Sequence, residues 1–188
     1  MNMAQQKHSK HNNQVRIIGG SCRGRKLSFI DADGLRPTPD MVREKLFNWL
    51  GQDLTGKTVL DLFCGSGALG MESASRNAKN VVMVEYNRQT AAKLKQNIGE
   101  LQLLNAEVVY GDGLQYLQQG GSRFDVVFLD PPFAWQQWPQ LFPLLKGRLN
   151  EGAMVYIEAG QLPERPLWLE SYRKGKSGMS HFELCLYR

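Results

Sequence analysis

The sequence predicts an α/β fold: a mostly parallel, doubly wound sheet with a small N-terminal extension and an antiparallel C-terminal hairpin. From Lys57 onward, short apolar β-prone runs alternate with segments of helical periodicity, an order typical of parallel sheets covered by helices. After residue 158 two β-prone runs follow without a helix between them, which predicts an antiparallel pair at the sheet edge. With 188 residues, 42% of them hydrophobic, the chain can bury one core.

The N-terminal third divides into an arm and an extension. Residues 1–14 are polar and aperiodic, so we expect a disordered arm. The extension covers 15–56. Its two β-prone runs, 15–18 and 26–29, flank a glycine-rich loop and predict a hairpin.

A helix is predicted after this hairpin. Thr38 is the candidate N-cap, Pro39 occupies the first helical position, and apolar residues recur at helical spacing until Gly51. The remaining residues, 57–188, form the expected main domain. Its predicted strands lie at 58–62, 81–85, 107–110, 125–129, 153–158, 166–173 and 181–187, and its predicted helices near 68–77, 88–102, 113–118 and 139–148.

The positive charge of the chain is concentrated near its beginning. Residues 1–58 hold ten Lys and Arg against five acids, whereas the other 130 residues hold thirteen of each sign. Such an arrangement fits either an appendage that binds a polyanion or a solubilising arm. Arg23, Arg25 and Lys26 of the hairpin are candidate phosphate contacts.

Several classes of protein are disfavoured. No stretch approaches the roughly 18 apolar residues of a membrane span, and the polar beginning lacks the apolar region of a signal peptide. We therefore expect a cytoplasmic protein that does not enter membranes. Three cysteines without a CxxC pair or a nearby histidine predict neither a disulfide framework nor a metal site.

A glycine-rich loop follows the first predicted strand of the main domain. Gly65, Ser66 and Gly67, with Gly70, allow a tight turn into a helix whose first N–H groups are free. Glu85, at the end of the next strand, suits ribose hydroxyls. These features alone also fit a dinucleotide-binding oxidoreductase.

Two carboxylates separate the alternatives for the cofactor. Asp61, at the end of the first strand, would attract a cationic aminoacyl group and repel a pyrophosphate, which favours S-adenosylmethionine. Asp112, after the third strand, is placed to accept from an adenine amino group, although a surface turn is the alternative.

A second motif, Asp130-Pro131-Pro132-Phe133, ends the apolar run 126–129. It combines a carboxylate, a rigid turn and an aromatic face, which suit a planar base bearing an amino group. The whole pattern resembles the class I S-adenosylmethionine-dependent methyltransferases, and this motif is similar to their (D/N)PP(F/Y) motif. That motif is shared by enzymes that methylate DNA adenine N6, RNA guanine N2 and glutamine amides.

The N-terminal third resembles one family more closely. The stretches 16–20, 23–27, 36–38 and 42–48 are similar to the bacterial small-subunit (16S) ribosomal RNA guanine-N2 methyltransferases, and the resemblance spans roughly 15–187. It implies a Rossmann-like methyltransferase fold and methylation of N2 on one guanine, within an assembled or assembling small subunit. It also implies that Arg36 and Arg43 close over the cofactor or the RNA. Surface salt bridging, of Arg43 with Asp40 or Glu44, is the alternative.

The resemblance implies the following site. S-adenosylmethionine would contact Asp61, Phe63, Gly65, Ser66, Gly67, Glu85, Asp112, Gly113 and Asp130. Asp130 and the Pro131 carbonyl would accept hydrogen bonds from the two N–H bonds of the amino group and turn the N2 lone pair toward the methyl group. Phe133 would stack on the base, a contact worth about 1–3 kcal/mol.

Three hypotheses remain open at this point. The first is the RNA guanine-N2 methyltransferase, expected to act as a monomer. The second is an amino methyltransferase for DNA adenine N6 or a protein glutamine, and the third is a nucleic-acid-binding or nicotinamide-binding protein without methyl transfer.

The sequence leaves two alternatives for Trp135 and Trp138, which follow the Asp130 motif. They either extend the aromatic surface that would hold the base or cover the following helix.

Overall fold

The computed structural model describes residues 13–30 and 37–188, so most of the arm predicted to be disordered lies outside them. The elements in chain order are β1 (Gln14–Arg16), β2 (Lys26–Ser28), α1 (Asp40–Leu50), β3 (Thr58–Asp61), α2 (Ala68–Ser75), β4 (Asn80–Glu85), α3 (Arg88–Leu101), β5 (Ala106–Tyr110), α4 (Gly113–Gln118), β6 (Phe124–Leu129), α5 (Trp138–Lys146), β7 (Leu149–Ala159), β8 (Leu169–Ser177) and β9 (Ser180–Tyr187).

The central sheet has seven strands in the order β5-β4-β3-β6-β7-β9-β8. The first five are parallel to one another, and β9 pairs antiparallel with both β7 and β8. The predicted α/β class, with its antiparallel C-terminal hairpin, is confirmed. The carboxyl ends of the five parallel strands therefore share one edge of the sheet, where ligands of such folds bind.

The two faces of the sheet bury separate apolar clusters. One cluster lies under α4 and α5, and the other lies under α1, α2, α3 and the β1–β2 hairpin. Val15, Ile17 and Leu27 of the hairpin are buried in the second cluster together with Leu94 of α3. The hairpin and α1 are thus packed onto the same face of the sheet.

Glu72 of α2 anchors this N-terminal extension. Its two carboxylate oxygens accept hydrogen bonds from the backbone N–H groups of Ile18, at 2.8 Å, and Gly19, at 3.0 Å. They also pair with Arg43 of α1 and Arg76 of α2, each at 3.2 Å. A buried carboxylate needs such compensation, and here it ties the hairpin loop and α1 to the sheet.

The helix α1 differs at its start from the prediction. It begins at Asp40, and Pro39 occupies the N-cap position without a side-chain cap. Thr38 is therefore not the N-cap; it is buried, and its carbonyl accepts a hydrogen bond from Arg43 Nε. Gly51 ends the helix with a φ of 97°, as expected of glycine after a helix.

The C-terminal hairpin is tighter than predicted. Residues 174–177, expected in a loop, belong to β8 and pair with β9 as far as Ser177 opposite Ser180. Because β9 starts beside the end of β7, the turn of this hairpin lies at the carboxyl edge of the parallel strands. No helix in the described part of the chain is long and apolar enough to span a bilayer.

Candidate active site

Four carboxylates lie side by side along the carboxyl edge of the sheet. Glu85 ends β4, Asp61 ends β3, Asp130 directly follows β6, and Glu158 is the penultimate residue of β7. These four strands are consecutive neighbours. Side chains alternate between faces along a strand, and this alternation places all four acids on the face that also carries α1 and the β1–β2 hairpin.

Asp61 is almost completely buried, with 2% of its surface exposed. Its Oδ2 accepts a hydrogen bond from the backbone N–H of Gly70 at 3.0 Å. Burial raises the pKa of the Asp61 carboxyl to about 7; the negative charge of Glu85 adds to the effect and the Gly70 bond opposes it. Burial thus disfavours the ionised form of Asp61, and a positive charge placed beside it would favour that form.

Glu85 is held by the loops on both sides of it. One oxygen accepts from the backbone N–H of Gly65 at 2.9 Å and the other from that of Asn87 at 3.0 Å. Burial raises the pKa of Glu85, and these hydrogen bonds act against the rise. The carboxylate thus fixes the glycine loop and keeps further acceptor capacity for hydroxyl groups.

The glycine loop passes very close to its neighbours. Gly67 has a φ of 81°, and a Cβ there would lie 2.4 Å from Leu94. A Cβ on Gly70 would lie 2.5 Å from Met83, so neither position has room for a side chain. Ser66, which precedes Gly67, is also buried. The loop presents backbone to the edge of the sheet, as the sequence pattern predicts.

Asp112 and Gly113 stand at the start of α4. Asp112 is exposed and caps the helix by accepting from the backbone N–H of Gln115 at 3.1 Å. Gly113 is buried, and a Cβ there would lie 3.1 Å from Leu62 Cγ. The cap explains the aspartate locally without any ligand, so its contact with an adenine stays a prediction.

The Asp130 motif leaves β6 beside Asp61. Burial raises the pKa of Asp130 well above its ordinary value, the charges of Glu158 and Asp61 raise it further, and a hydrogen bond from the Thr38 side chain acts in the opposite direction. Pro131 is buried. The Phe133 ring is 68% exposed, which leaves an aromatic surface for a planar ligand.

Aromatic rings connect this motif with the cofactor loop. Trp135 packs edge-on against Phe63, with ring centroids 5.0 Å apart, and against Trp138 at the same distance. Trp138 is buried and stacks on Phe142 of α5. Trp138 therefore packs along α5, of which it is the first residue, while Trp135 lies between Trp138 and Phe63.

The structure separates the predicted RNA contacts into three groups. Arg23, Arg25 and Lys26 are exposed, as a phosphate-binding surface requires. Arg36 lies outside the described residues.

Arg43 is not at the surface: only 1% of it is exposed. Its guanidinium pairs with Glu72 and Asp40 and donates to two backbone carbonyl groups. The expectation that Arg43 contacts the RNA is therefore wrong, and Arg43 has a structural role. The predicted ion pair with Asp40 is present, but in this pair the arginine is buried and the aspartate is exposed.

Glu158 is the residue that sequence reasoning missed. Its Oε2 accepts from the Tyr156 hydroxyl at 2.8 Å and its Oε1 from the Ser180 hydroxyl at 2.7 Å. Burial, followed by the charge of Glu158, raises the pKa of Tyr156 well above its usual range. No motif marks Glu158, and its only signal in the sequence is an acid near the end of an apolar strand.

Among residues 13–30 and 37–188, no group of three His, Cys, Asp or Glu side chains is arranged to hold a metal ion. The four carboxylates form a row rather than a cluster. Their spacing suits an extended organic ligand with several donor groups along it.

Known proteins resemble this chain over most of its length. The family model described as "Conserved hypothetical protein 95" matches residues 15–186. The protein named "Ribosomal RNA small subunit methyltransferase D" of Escherichia coli K12 is 40% identical over 176 residues, which are 91% of this chain and 89% of that relative.

Solved structures agree with the fold. The Escherichia coli protein yhhF superimposes with a TM-score of 0.84 at 36% identity, over 93% of this chain and 98% of that one. An RNA methyltransferase from Salinibacter ruber, solved in complex with S-adenosyl-L-homocysteine, has a TM-score of 0.65 at 20% identity, over 81% of this chain and 94% of that one. The second likeness shows a shared fold.

Proposed function

The chain belongs to the bacterial ribosomal RNA small subunit methyltransferase D family, and we propose on this basis that it transfers a methyl group from S-adenosylmethionine to N2 of one guanine in small-subunit (16S) ribosomal RNA. The observation that carries the proposal is the position of Asp130, which follows the strand next to Asp61. A base held by Asp130 would lie beside a cofactor held by Asp61.

The residues present fit S-adenosylmethionine, which supplies an electrophilic methyl group when bound. Asp61 would pair with the ammonium group and Glu85 would accept from the ribose hydroxyls. Asp112 would accept from the adenine amino group. Phe63, Gly113 and the backbone of Gly65, Ser66 and Gly67 would complete the surface. A buried carboxylate without a charged partner is costly, so a bound ammonium would relieve the burial of Asp61.

Asp130, Pro131 and Phe133 would hold the guanine. The Asp130 carboxylate and the Pro131 carbonyl would accept hydrogen bonds from the two N2–H groups, and this arrangement aligns the nitrogen lone pair with the methyl group. The exposed Phe133 ring would stack on the base. An unpaired loop nucleotide, or one turned out of its helix, can enter such a site.

The chemistry needs no strong base before transfer. The positive charge that develops on N2 favours the ionised form of Asp130, and the carboxylate stabilises that charge. The burial and neighbouring charge that raise the pKa of Asp130 then favour its taking the proton that N2 loses.

The basic hairpin would bind the RNA backbone. Arg23, Arg25 and Lys26 are exposed on the extension, so they are available to RNA phosphates. Arg36 is proposed to act with them. A ribosomal RNA substrate, on an assembled or assembling subunit, implies a cytoplasmic enzyme.

Methyl transfer can be tested directly. Labelled S-adenosylmethionine is incubated with small ribosomal subunits, or with naked small-subunit RNA, that lack the modification, and the nucleosides are then analysed. Label in N2-methylguanosine is the expected result. Donor binding without label in either RNA would contradict the proposal and favour the DNA adenine or protein glutamine alternatives.

A further inference from the structure

We propose that Glu158 reads the target base by accepting a hydrogen bond from guanine N1–H, next to the N2 group held by Asp130. The inference rests on the proposed function and adds the residue that distinguishes guanine from other amino-bearing substrates. It is carried by the position, the hydrogen bonds and the charge of Glu158.

Strand pairing places Glu158 beside Asp130. Leu129 of β6 lies opposite Ile157 of β7 in the parallel ladder, so the next residues of the two strands are Asp130 and Glu158. Neighbouring strands are about 4.8 Å apart. The effect of the Glu158 charge on the Asp130 carboxyl is a second sign that the two groups are close.

The hydrogen bonds of Glu158 fix its orientation but leave it able to bind more. Tyr156 donates to one oxygen and Ser180 to the other. A carboxylate has about four acceptor positions, so two are still free. The Tyr156 and Ser180 hydroxyl groups thus hold the Glu158 carboxylate in place, and its remaining positions can accept hydrogen bonds from a ligand.

A purely structural role does not explain the charge. A neutral glutamine could satisfy both hydroxyl groups, because its amide oxygen would accept from one and its NH2 group would donate to the other, without placing a second negative charge next to Asp130. Glu158 is 8% exposed, and in the described part of the chain no basic side chain forms an ion pair with it. A ligand that donates hydrogen bonds would offset this cost.

Guanine is the base that matches two adjacent acceptors. Its N1–H and N2–H groups are neighbouring donors, whereas adenine presents an acceptor, N1, next to its N6 amino group. A glutamine amide offers only its amino group. A site with two carboxylates side by side therefore accepts guanine and rejects adenine, because the wrong base leaves a buried acceptor facing another acceptor.

The test compares Glu158→Gln with a matched control, Glu151→Gln, which alters an exposed glutamate at the opposite end of β7. The substrate is small-subunit RNA, naked or assembled, whichever the native protein methylates. We expect Glu158→Gln to lower kcat/KM by about 10- to 100-fold, with donor affinity and melting temperature close to native, and Glu151→Gln to have no effect.

A base analogue gives the decisive readout. After the modified position is mapped, ligated RNAs carry guanosine or 2-aminopurine there; the analogue keeps the amino group, but its N1 is an acceptor. The native protein should prefer guanosine strongly. Glu158→Gln should narrow or reverse this preference, because the glutamine amide can donate to N1.

An equal loss of activity on both RNAs, or an unchanged preference, would overturn the inference and leave Glu158 a structural role. If Glu158→Gln does not fold, Glu158→Asp serves instead: it keeps the charge, withdraws the carboxylate, and should weaken the preference as well. Failure of the native protein to form N2-methylguanosine would instead contradict the proposed function, so the two failures are distinguishable.

Discussion

Asp61 Oδ2 lies 3.0 Å from the backbone nitrogen of Gly70, and this hydrogen bond joins the end of β3 to the first turns of α2. A Cβ at Gly70 would lie 3.3 Å from the same oxygen and 2.5 Å from Met83. The carboxylate is thus held under the glycine loop, away from water, and this burial determines how it titrates.

The affinity for S-adenosylmethionine should depend on pH. Burial raises the pKa of Asp61 to about 7, and a bound ammonium group requires the ionised form. Below pH 7 binding must displace a proton, so affinity should fall by up to about tenfold for each pH unit. Calorimetry between pH 5.5 and 7.5 checks this, and Asp61→Asn should bind weakly with little pH dependence. A flat profile in the native protein would argue against Asp61 as the ammonium site.

The stability of the unliganded protein should change in the opposite direction. Because the pKa of Asp61 is higher in the folded state than its ordinary 3.8, the folded protein holds more protons than the unfolded chain between about pH 4 and 7. The contribution of Asp61 to the free energy of unfolding therefore falls as pH rises, by at most about 4 kcal/mol. Urea unfolding of native protein and Asp61→Asn should show a smaller fall in the variant.

Asp130→Ala should abolish methyl transfer. The variant loses the acceptor that orients N2 and one expected cofactor contact, but Asp61, Glu85 and the glycine loop are untouched, so donor binding should be largely retained. Asp130→Asn keeps one acceptor oxygen and should retain measurable transfer. Single-turnover rates and donor titrations test both variants. Near-native turnover of Asp130→Ala would show that the base binds elsewhere.

Replacing Arg23, Arg25 and Lys26 together with glutamine should weaken RNA binding. The slope of log affinity against log salt should fall by about 2, because each phosphate contact contributes somewhat less than one. The control replaces Lys57, Lys79 and Arg123, three exposed bases near the amino ends of β3, β4 and β6. Equal salt slopes for the two triple variants would show that Arg23, Arg25 and Lys26 make no special contribution to RNA binding, and that the hairpin has a structural role.

Arg43→Ala should destabilise the protein by about 3 kcal/mol, since it leaves the Glu72 carboxylate buried with one of its two cations removed. Lys45→Ala, on the exposed side of the same helix, should stay within about 0.5 kcal/mol. Chemical denaturation measures both. Unchanged stability of Arg43→Ala together with weaker RNA binding would restore the original expectation for this arginine.

The sequence by itself determined the elements and the acids that follow them. Asp61, Glu85 and Asp130 each come after a run of apolar residues, and the carboxyl ends of parallel strands meet at one edge. Local pattern was therefore enough to bring these three residues together. The glycine loop was also predictable from the sequence, because the positive φ at Gly67 and the lack of space for a Cβ there favour glycine.

Tertiary structure alone decided the roles of Arg43 and Glu158. Arg43 has charged neighbours along the helix, which fits an exposed position, yet Glu72 lies 29 residues away and draws the guanidinium into the core. Glu158 lies in a long strand without a recognisable motif. It is placed beside Asp130 only because β6 and β7 are neighbours in the sheet. Both depend on contacts between distant parts of the chain, whereas local sequence patterns report only neighbours along it.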